Sequence, residues 1–207
     1  MGGRSVIEVD ALVTACHRLA ALGLSPGGSG NVSVRVGEQV FITPTGAALS
    51  RVTAGDLAVL SLTGEPLSGA RPSKEFPLHL AAYHVRPEAQ AIVHLHSVHA
   101  AAVSCLDEPL PTLTPYQVTR LGPLPVVPYA PPGSAALAEG VAGVLADHHA
   151  ALLANHGSVV AAAGVDLAAD LAEELESTAR LALLLRGLPY RELPPSAVSA
   201  PAGPATS

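Results

Sequence analysis

The chain has 207 residues, which is enough for one domain with a substantial core and too few for two. Hydrophobic residues make up 49% of it, charged residues 14%, and the formal net charge is −6. The acidic balance argues against a broad surface for nucleic acid or anionic lipid, and no apolar run approaches the roughly 20 residues of a membrane span.

Hydrophobic periodicity predicts short strands mixed with helices in chain order. Gly23 ends the first helix, and a Gly-rich loop at residues 24–30 follows it. Ser73 is the expected N-cap of the second helix, which Pro87 stops, and Asp166 is the expected cap of the last one. The predicted helices are 5–22, 73–83, 98–105, 135–148 and 166–187, and the predicted strands are 32–36, 39–43, 56–62, 91–96, 151–155 and 159–162.

Two segments rich in proline interrupt this pattern. Residues 106–132 are expected to wind over the surface with short strands, and from Leu188 onward Pro, Ala and Ser dominate. We therefore expect a folded domain at residues 1–190 and a disordered tail at 191–207. Because helices and strands do not alternate strictly, the pattern favours three layers around a mixed sheet over a doubly wound sheet.

Two histidine motifs each end an apolar strand. His94 and His96 lie two apart on one strand, so both imidazoles point to the same face and can converge on one ion. His156 ends another apolar strand and could bring a third nitrogen to the same point. Three neutral imidazoles suit zinc, with manganese and cobalt also compatible. Glu75, expected in the first turn of its helix, could act as a metal ligand or a base.

The other histidines are more often surface or core residues than ligands. His79 lies four residues after Glu75, on the same helical face, and is expected to support the site without binding the ion. No ligand role is expected for the remaining ones, which are His17, His84, His99, His148 and His149.

Three segments carry donors that an anion could use. Residues 27–31 offer backbone N–H groups with little steric bulk, and residues 43–46 offer hydroxyl and amide donors. Ser73 and Lys74 lie beside the expected helix N-terminus, where phosphate binds readily. Each segment alone is most often an ordinary turn, so only their combination with a metal site indicates a phosphate-binding site.

Signals for export are not evident in the sequence. The first residues contain no apolar signal region, and Cys16 and Cys105 form no metal or redox motif. We therefore expect a reduced, cytoplasmic protein. The abundance of Ala, Leu and Val suits buried helices and subunit interfaces, so an oligomer is also expected.

Five motifs together resemble the class II aldolase family, best known from the L-fuculose-1-phosphate aldolases. The resemblance covers most of the chain, from about Leu12 to Leu185. It implies an α/β/α sandwich around a mixed, largely antiparallel sheet, assembled as a C4 homotetramer. The motifs are Gly-Asn-Val-Ser at 30–33, Ile-Thr-Pro-Thr-Gly at 42–46, Pro-Ser-Lys-Glu at 72–75, His-Leu-His at 94–96 and Leu-Ala-Asn-His-Gly at 153–157.

The same resemblance implies roles for individual residues. It implies zinc on His94, His96 and His156, with Glu75 as the catalytic acid/base that can also ligate the metal. Tyr116 lies near the position of a tyrosine proton donor that a neighbouring subunit contributes in the aldolases. The positions that correspond to phosphate-binding residues are Gly30, Asn31, Thr45, Gly46, Ser73 and Lys74.

One departure points to a particular branch of the family. Fuculose aldolases carry two serines before the catalytic glutamate, whereas the second position here is Lys74. This and other segments resemble the 3-oxo-tetronate 4-phosphate decarboxylase branch, which forms dihydroxyacetone phosphate and CO₂ through a metal-stabilised enediolate. Lys74 or Arg120 could then recognise the substrate carboxylate. A sugar-phosphate aldolase, or related epimerase chemistry, is the first alternative, and a non-enzymatic adducin-like interaction module is a remote second.

Overall fold

The computed structural model describes residues 3–194 and residue 196. Over this part of the chain the helices are α1 Gly3–Ala21, α2 Phe76–Val85, α3 Val98–Ser104, α4 Ala135–Leu145 and α5 Val165–Leu185. The strands are β1 Asn31–Val36, β2 Gln39–Ile42, β3 Ala58–Ser61, β4 Pro66–Gly69, β5 Ala91–Leu95, β6 Val126–Val127, β7 Ala150–Leu153 and β8 Gly157–Ala162. Most of the expected tail at 191–207 lies outside the described residues.

All strands join one sheet in the order β4-β3-β2-β1-β5-β8-β7-β6. Only the β6–β7 pair is parallel among the described strands, and every other neighbouring pair is antiparallel. The expected mixed, largely antiparallel sheet is therefore confirmed. At its centre, β1 and β8 flank β5, so the strand that carries the His-Leu-His motif is buried from both sides.

Helices cover both faces of the sheet, which confirms the expected α/β/α sandwich. One hydrophobic core lies between the sheet and helices α1, α3 and α5, and it contains Val93 and Leu95 of β5. The other lies between the sheet and helices α2 and α4, and it contains Ile92. Because side chains alternate along a strand, His94 shares the face of Ile92 and points toward the α2 and α4 layer.

Three helices begin at different residues than the sequence predicted. Helix α1 begins at Gly3, two residues before its predicted start. Helix α2 begins at Phe76, so Glu75 holds the N-cap position and Ser73 lies before the helix. Pro77 explains the shift, because a residue without an N–H group is best accommodated in the first helical turn. Helix α5 begins at Val165 after an extended Gly164, so Asp166 lies in its first turn instead of capping it.

Two elements were not predicted. Strand β4 is a fully exposed edge strand of Pro, Leu, Ser and Gly, a composition that gives no alternating signal. A π-helical turn occupies Gln117–Leu121 inside the proline-rich segment, which also holds the short strand β6 as expected. None of the helices in the described part of the chain is both long and apolar enough to cross a bilayer.

Candidate active site

The predicted metal ligands come from three separate parts of the chain and meet at one point. His94 lies near the end of β5, His96 just after it, and His156 in the turn between β7 and β8. Glu75 immediately precedes α2, which packs on the same face of the sheet. One ligand atom from each of the four side chains lies within 4.8 Å of the other three. The structure therefore brings together all the residues that were expected to bind a metal.

The distances between the Nε2 atoms of the cluster are close to those between ligand nitrogens on one metal ion. The Nε2 atom of His96 is 3.0 Å from the Nε2 atoms of both His94 and His156. The Glu75 carboxylate lies 3.3 Å from His94 Nε2, 3.2 Å from His156 Nε2 and 3.9 Å from His96 Nε2. Two ligand nitrogens on one tetrahedral zinc are about 3.3 Å apart, given zinc–nitrogen bonds of about 2.0–2.1 Å.

The donor chemistry of the cluster also fits a metal ion. His94 Nδ1 is 2.8 Å from the carbonyl oxygen of Ser158, which can only accept a hydrogen bond. His94 Nδ1 therefore carries a proton, and Nε2, which points into the cluster, is the nitrogen whose lone pair can bind a metal ion. Glu75 Oε1 is buried and has no hydrogen-bond partner among the described residues. A cation between these atoms would satisfy both groups.

Glycines on both sides of β5 allow the ligands to approach each other. Gly30 has φ 78°, and a Cβ atom there would lie 3.0 Å from the carbonyl oxygen of His94. A Cβ atom at Gly157 would overlap the carbonyl oxygen of Leu95. Asn155, before His156, adopts the left-handed conformation with φ 56°, which Asn tolerates better than most residues. The Asn-His-Gly sequence thus fits the turn that presents His156.

Burial and mutual contacts shift the pKa values of the site. Burial raises the pKa of Glu75, but contacts with His156, His94 and Asn31 outweigh it and lower that pKa below its usual range. Burial and the neighbouring His94 and His156 lower the pKa of His96 to about 4. An ionised carboxylate beside a neutral imidazole is the state that binds a metal ion.

We call Glu75, His94, His96 and His156 the metal-binding cluster, because together they could hold a metal ion. A cavity of about 410 Å³ opens beside this cluster. Glu75 and His96 form part of its wall, so the cavity reaches the proposed ligands. All residues that were expected to bind the substrate line it as well, namely Gly30, Asn31, Thr45, Gly46, Ser73 and Lys74. The three predicted anion-binding segments therefore converge on one space.

Two further residues singled out in the sequence lie outside this cavity, namely Tyr116, the expected proton donor, and Arg120, considered for binding the substrate carboxylate. Tyr116 is 65% exposed and precedes the π-helical turn. Arg120, within that turn, is exposed, and its carbonyl oxygen is 2.7 Å from His149 Nε2. Neither residue lines the cavity of its own subunit.

Several buried polar residues around the cluster were not predicted from the sequence to support it. Ser33 and Tyr83 bond to each other and connect to His79, while Glu176 on α5 accepts hydrogen bonds around Ser97, directly after His96. Spacing could have revealed the first group, because Glu75, His79 and Tyr83 recur every four residues on one helix. Glu176 gives no such signal, since one acidic residue on an amphipathic helix is ordinarily solvated.

The fold and site define a class of protein: an α/β/α sandwich with three histidines and one glutamate beside a cavity that the three predicted anion-binding segments line. The model of the family "Class II Aldolase and Adducin N-terminal domain" matches residues 10–183. The chain belongs to this class II aldolase family.

The relatives of the chain carry names from two activities. The 3-oxo-tetronate 4-phosphate decarboxylase of Haemophilus influenzae is 46% identical over 177 residues, covering 83% of this chain and 84% of that protein. The L-fuculose phosphate aldolase of Escherichia coli O6:H1 is 38% identical over 174 residues, covering 83% and 80%. The crystal structure of YgbL from Klebsiella pneumoniae has a TM-score of 0.89 at 40% identity, covering 92% of this chain and 95% of that one.

Proposed function

We propose that this protein is a zinc-dependent decarboxylase that converts a 3-oxo-tetronate 4-phosphate into dihydroxyacetone phosphate and CO₂. The observation that carries the proposal is that the anion-binding loops, Lys74 and the metal-binding cluster border one cavity. A phosphate and a ketone of one small molecule can then be held together. The 46% identity to a protein named for this activity supports the choice of substrate.

The proposed metal ligands are His94, His96 and His156, with Glu75 as a further ligand or a catalytic group. Zinc is the preferred ion because neutral imidazoles suit it, although manganese or cobalt could replace it in this set. When bound, such an ion would supply a positive charge that polarises the substrate ketone. The protein's own part is to hold three lone pairs and one carboxylate at that point.

Decarboxylation breaks one carbon–carbon bond in each substrate molecule and requires one proton to complete the product. The bond between the carboxyl carbon and the hydroxyl-bearing carbon breaks, CO₂ leaves, and the electron pair stays on the second carbon. That carbon must take up a proton to give dihydroxyacetone phosphate. Glu75 borders the cavity and is the proposed acid in its own subunit, where the ionised carboxylate must first take up a proton in order to donate it. Tyr116 of a neighbouring subunit is the second candidate.

Lys74 is the proposed determinant of substrate class. It lies between Ser73 and Glu75 on the cavity wall, where its ammonium group can attract the substrate carboxylate or phosphate. A cation that holds the carboxylate too tightly stabilises the ground state and slows its loss. We therefore propose that Lys74 draws the anion into the cavity without pairing with it rigidly.

The decisive experiment incubates zinc-loaded protein with 3-oxo-tetronate 4-phosphate and follows dihydroxyacetone phosphate and CO₂ together. Equal, metal-dependent release of both is expected. Absence of CO₂ release, together with aldehyde formation from a ketose 1-phosphate, would refute the decarboxylase and support the aldolase. The L-fuculose phosphate aldolase relative at 38% identity makes this the second candidate function.

A Lys74→Ser variant tests the proposed role of the lysine. It introduces the second serine that the fuculose aldolases carry. The expected result is a higher KM for the sugar-acid phosphate. Lys74→Arg is the matched control because it keeps the charge. Equal kinetics in the serine variant and the wild type would show that Lys74 does not select the substrate.

We also propose a homotetramer in which Tyr116 acts on a neighbouring subunit's cavity. Tyr116 is 65% exposed, and the apolar residues Val98, Val126 and Tyr129 are exposed as well, which supports burial of such side chains in subunit interfaces. Sedimentation would give the subunit number. Mixing Glu75→Gln with Tyr116→Phe protein, after dissociation and reassembly, should restore activity, because some cavities then receive both native groups. Activity no greater than the sum of the two inactive variants would refute the exchange.

The remaining proposals concern extent and location. The enzyme domain is proposed to span residues 1–190, which includes the part matched by the family model. A cytoplasmic location is proposed, and the two free cysteines of the structure are consistent with a reducing compartment. The intact glutamate and histidine cluster favours an enzyme over a non-enzymatic adducin-like module.

A further inference from the structure

A row of buried polar residues links Glu75 to the interior of the protein. Two of them, Asn31 and Ser33, alternate with apolar residues on β1, and two others, His79 and Tyr83, follow Glu75 at intervals of four on α2. All are buried, with at most 3% of the side chain surface exposed. Buried polar groups in such number require mutual hydrogen bonds.

The hydrogen bonds run alternately between helix and strand. Tyr83 Oη lies 2.8 Å from Ser33 Oγ, which lies 2.8 Å from His79 Nδ1. His79 Nε2 contacts Asn31 Oδ1, and Asn31 Nδ2 lies 3.0 Å from Glu75 Oε2. We call this set the buried relay.

The geometry of the two elements explains the alternation. Four residues of an α-helix rise about 6.0 Å, and two residues of a strand rise about 6.6 Å. Polar residues at every fourth helical position therefore have nearly the same spacing as every second residue of a strand that runs beside the helix. The relay follows from the spacing in both segments, and it bonds the side chain of Asn31, a residue that lines the cavity, to Glu75.

The orientation of the Asn31 amide fixes the direction of the hydrogen bonds in the relay. Asn31 Nδ2 donates to Glu75 Oε2, and Asn31 Oδ1, which can only accept, contacts His79 Nε2. His79 Nε2 therefore carries a proton and donates, and burial, which lowers the pKa of His79 to about 3, agrees with a ring that carries no second proton. His79 Nδ1 therefore accepts from Ser33, which in turn accepts from Tyr83.

We infer that His79 is a positioning residue, which acts through Asn31 to hold the Glu75 carboxylate in place beside the metal-binding cluster. This inference rests on the role of Glu75 in the proposed function. Asn31 alone could rotate its amide and present its oxygen to the carboxylate. The donor on His79 prevents that rotation, because the rotated amide would set two N–H groups against each other. Both carboxylate oxygens face the cluster, with Oε2 3.3 Å from His94 Nε2 and Oε1 3.2 Å from His156 Nε2.

Two substitutions of His79 separate positioning from packing. His79→Gln keeps a donor toward Asn31, whereas His79→Leu has similar bulk and no donor. In the leucine variant we expect zinc affinity, measured by competition with a chelator, and kcat each to fall about 10- to 100-fold, the usual loss for partners of metal ligands. The glutamine variant should recover most of both. His84→Leu on the exposed side of the same helix is the matched control and should change neither.

Nitrogen-15 NMR of the histidine rings tests the direction of the relay without any assay of function. The wild type should show His79 as the tautomer protonated at Nε2, identified by the resonance that the His79→Gln variant lacks. A proton on Nδ1 would overturn the inference, even if the leucine variant failed to fold.

The remaining outcomes are also decisive. Equal losses in the glutamine and leucine variants, or a leucine variant that is less stable but keeps normal zinc affinity and kcat, would reduce His79 to a packing residue. A wild-type protein that binds zinc but does not decarboxylate the sugar-acid phosphate would refute the proposed function instead. The tautomer and the zinc affinities would still test the relay in that case.

Discussion

Replacing Glu176 should loosen the segment that follows His96. The Glu176 carboxylate, on α5, accepts hydrogen bonds from Ser97 Oγ at 2.7 Å, His99 N at 3.0 Å, His99 Nδ1 at 2.7 Å and Ala100 N at 2.8 Å. It therefore satisfies two free N–H groups in the first turn of α3, those of His99 and Ala100, for which the N-cap Ser97 provides no side-chain acceptor. Glu176→Leu would keep the volume and remove all of these acceptors.

The size of the effect follows from which donors stay buried. Ser97 and Ala100 are buried, whereas His99 is partly exposed and can turn to water. Each orphaned buried donor costs about 1–3 kcal/mol, so Glu176→Leu should lower the free energy of unfolding by about 2–6 kcal/mol. Glu176→Gln keeps one oxygen as an acceptor and should lose about half of that amount.

The assay is urea unfolding of both variants at several pH values. Burial raises the pKa of Glu176, but hydrogen bonds from Ser97, His99 and Ala100 outweigh it and lower that pKa below its usual value. A lowered folded-state pKa contributes stability above the unfolded-state pKa, and this contribution disappears as the pH falls through the folded-state pKa. The difference in the free energy of unfolding between the wild type and Glu176→Leu should therefore be constant near neutral pH and become smaller in acid. A pH-independent gap, or one below about 1 kcal/mol, would refute the reasoning.

Three further substitutions test the cluster itself. Gly157→Ala should destabilise the fold and weaken metal binding, because its Cβ overlaps the Leu95 carbonyl oxygen; a stable variant with normal metal content in elemental analysis would contradict this. His94→Ala should lose the metal, and full zinc occupancy would refute that ligand. Glu75→Gln should retain part of the zinc and lose most turnover in the coupled product assay, whereas turnover equal to the wild type would remove Glu75 from the mechanism.

The metal-binding cluster could be predicted because strand periodicity carries three-dimensional information. His94 and His96 are two apart at the end of an apolar strand, and this spacing alone places both rings on one face. His156 followed by glycine at the end of a second apolar strand marks a similar turn. The structure brings both motifs and Glu75 within ligating distance of one point.

Other features were not predicted, one because the local signal of Pro77 was overlooked and two because they depend on tertiary contacts. Ser73 looks like an N-cap, yet Pro77 shifts the start of α2 so that Glu75 takes that position and faces the cluster. Strand β4 forms because β3 offers it a partner along the sheet, although its own residues have low strand propensity. The Asn31 side chain points to Glu75 only because α2 and β1 lie side by side.

The two buried networks approach the cluster from opposite helical layers, which makes a test of independence possible. The relay lies in the layer of α2, and Glu176 lies in the layer of α5 and α3, with no shared residue. In the presence of a chelator, the losses of stability in His79→Leu and Glu176→Leu should add to within about 0.5 kcal/mol in the double variant. With zinc well above every dissociation constant the losses should still add but should each be larger than with the chelator, because a weaker zinc affinity also lowers the stabilisation that bound metal gives to the folded state. A single variant whose loss of stability is the same with zinc and with chelator would show that its network has no effect on metal binding.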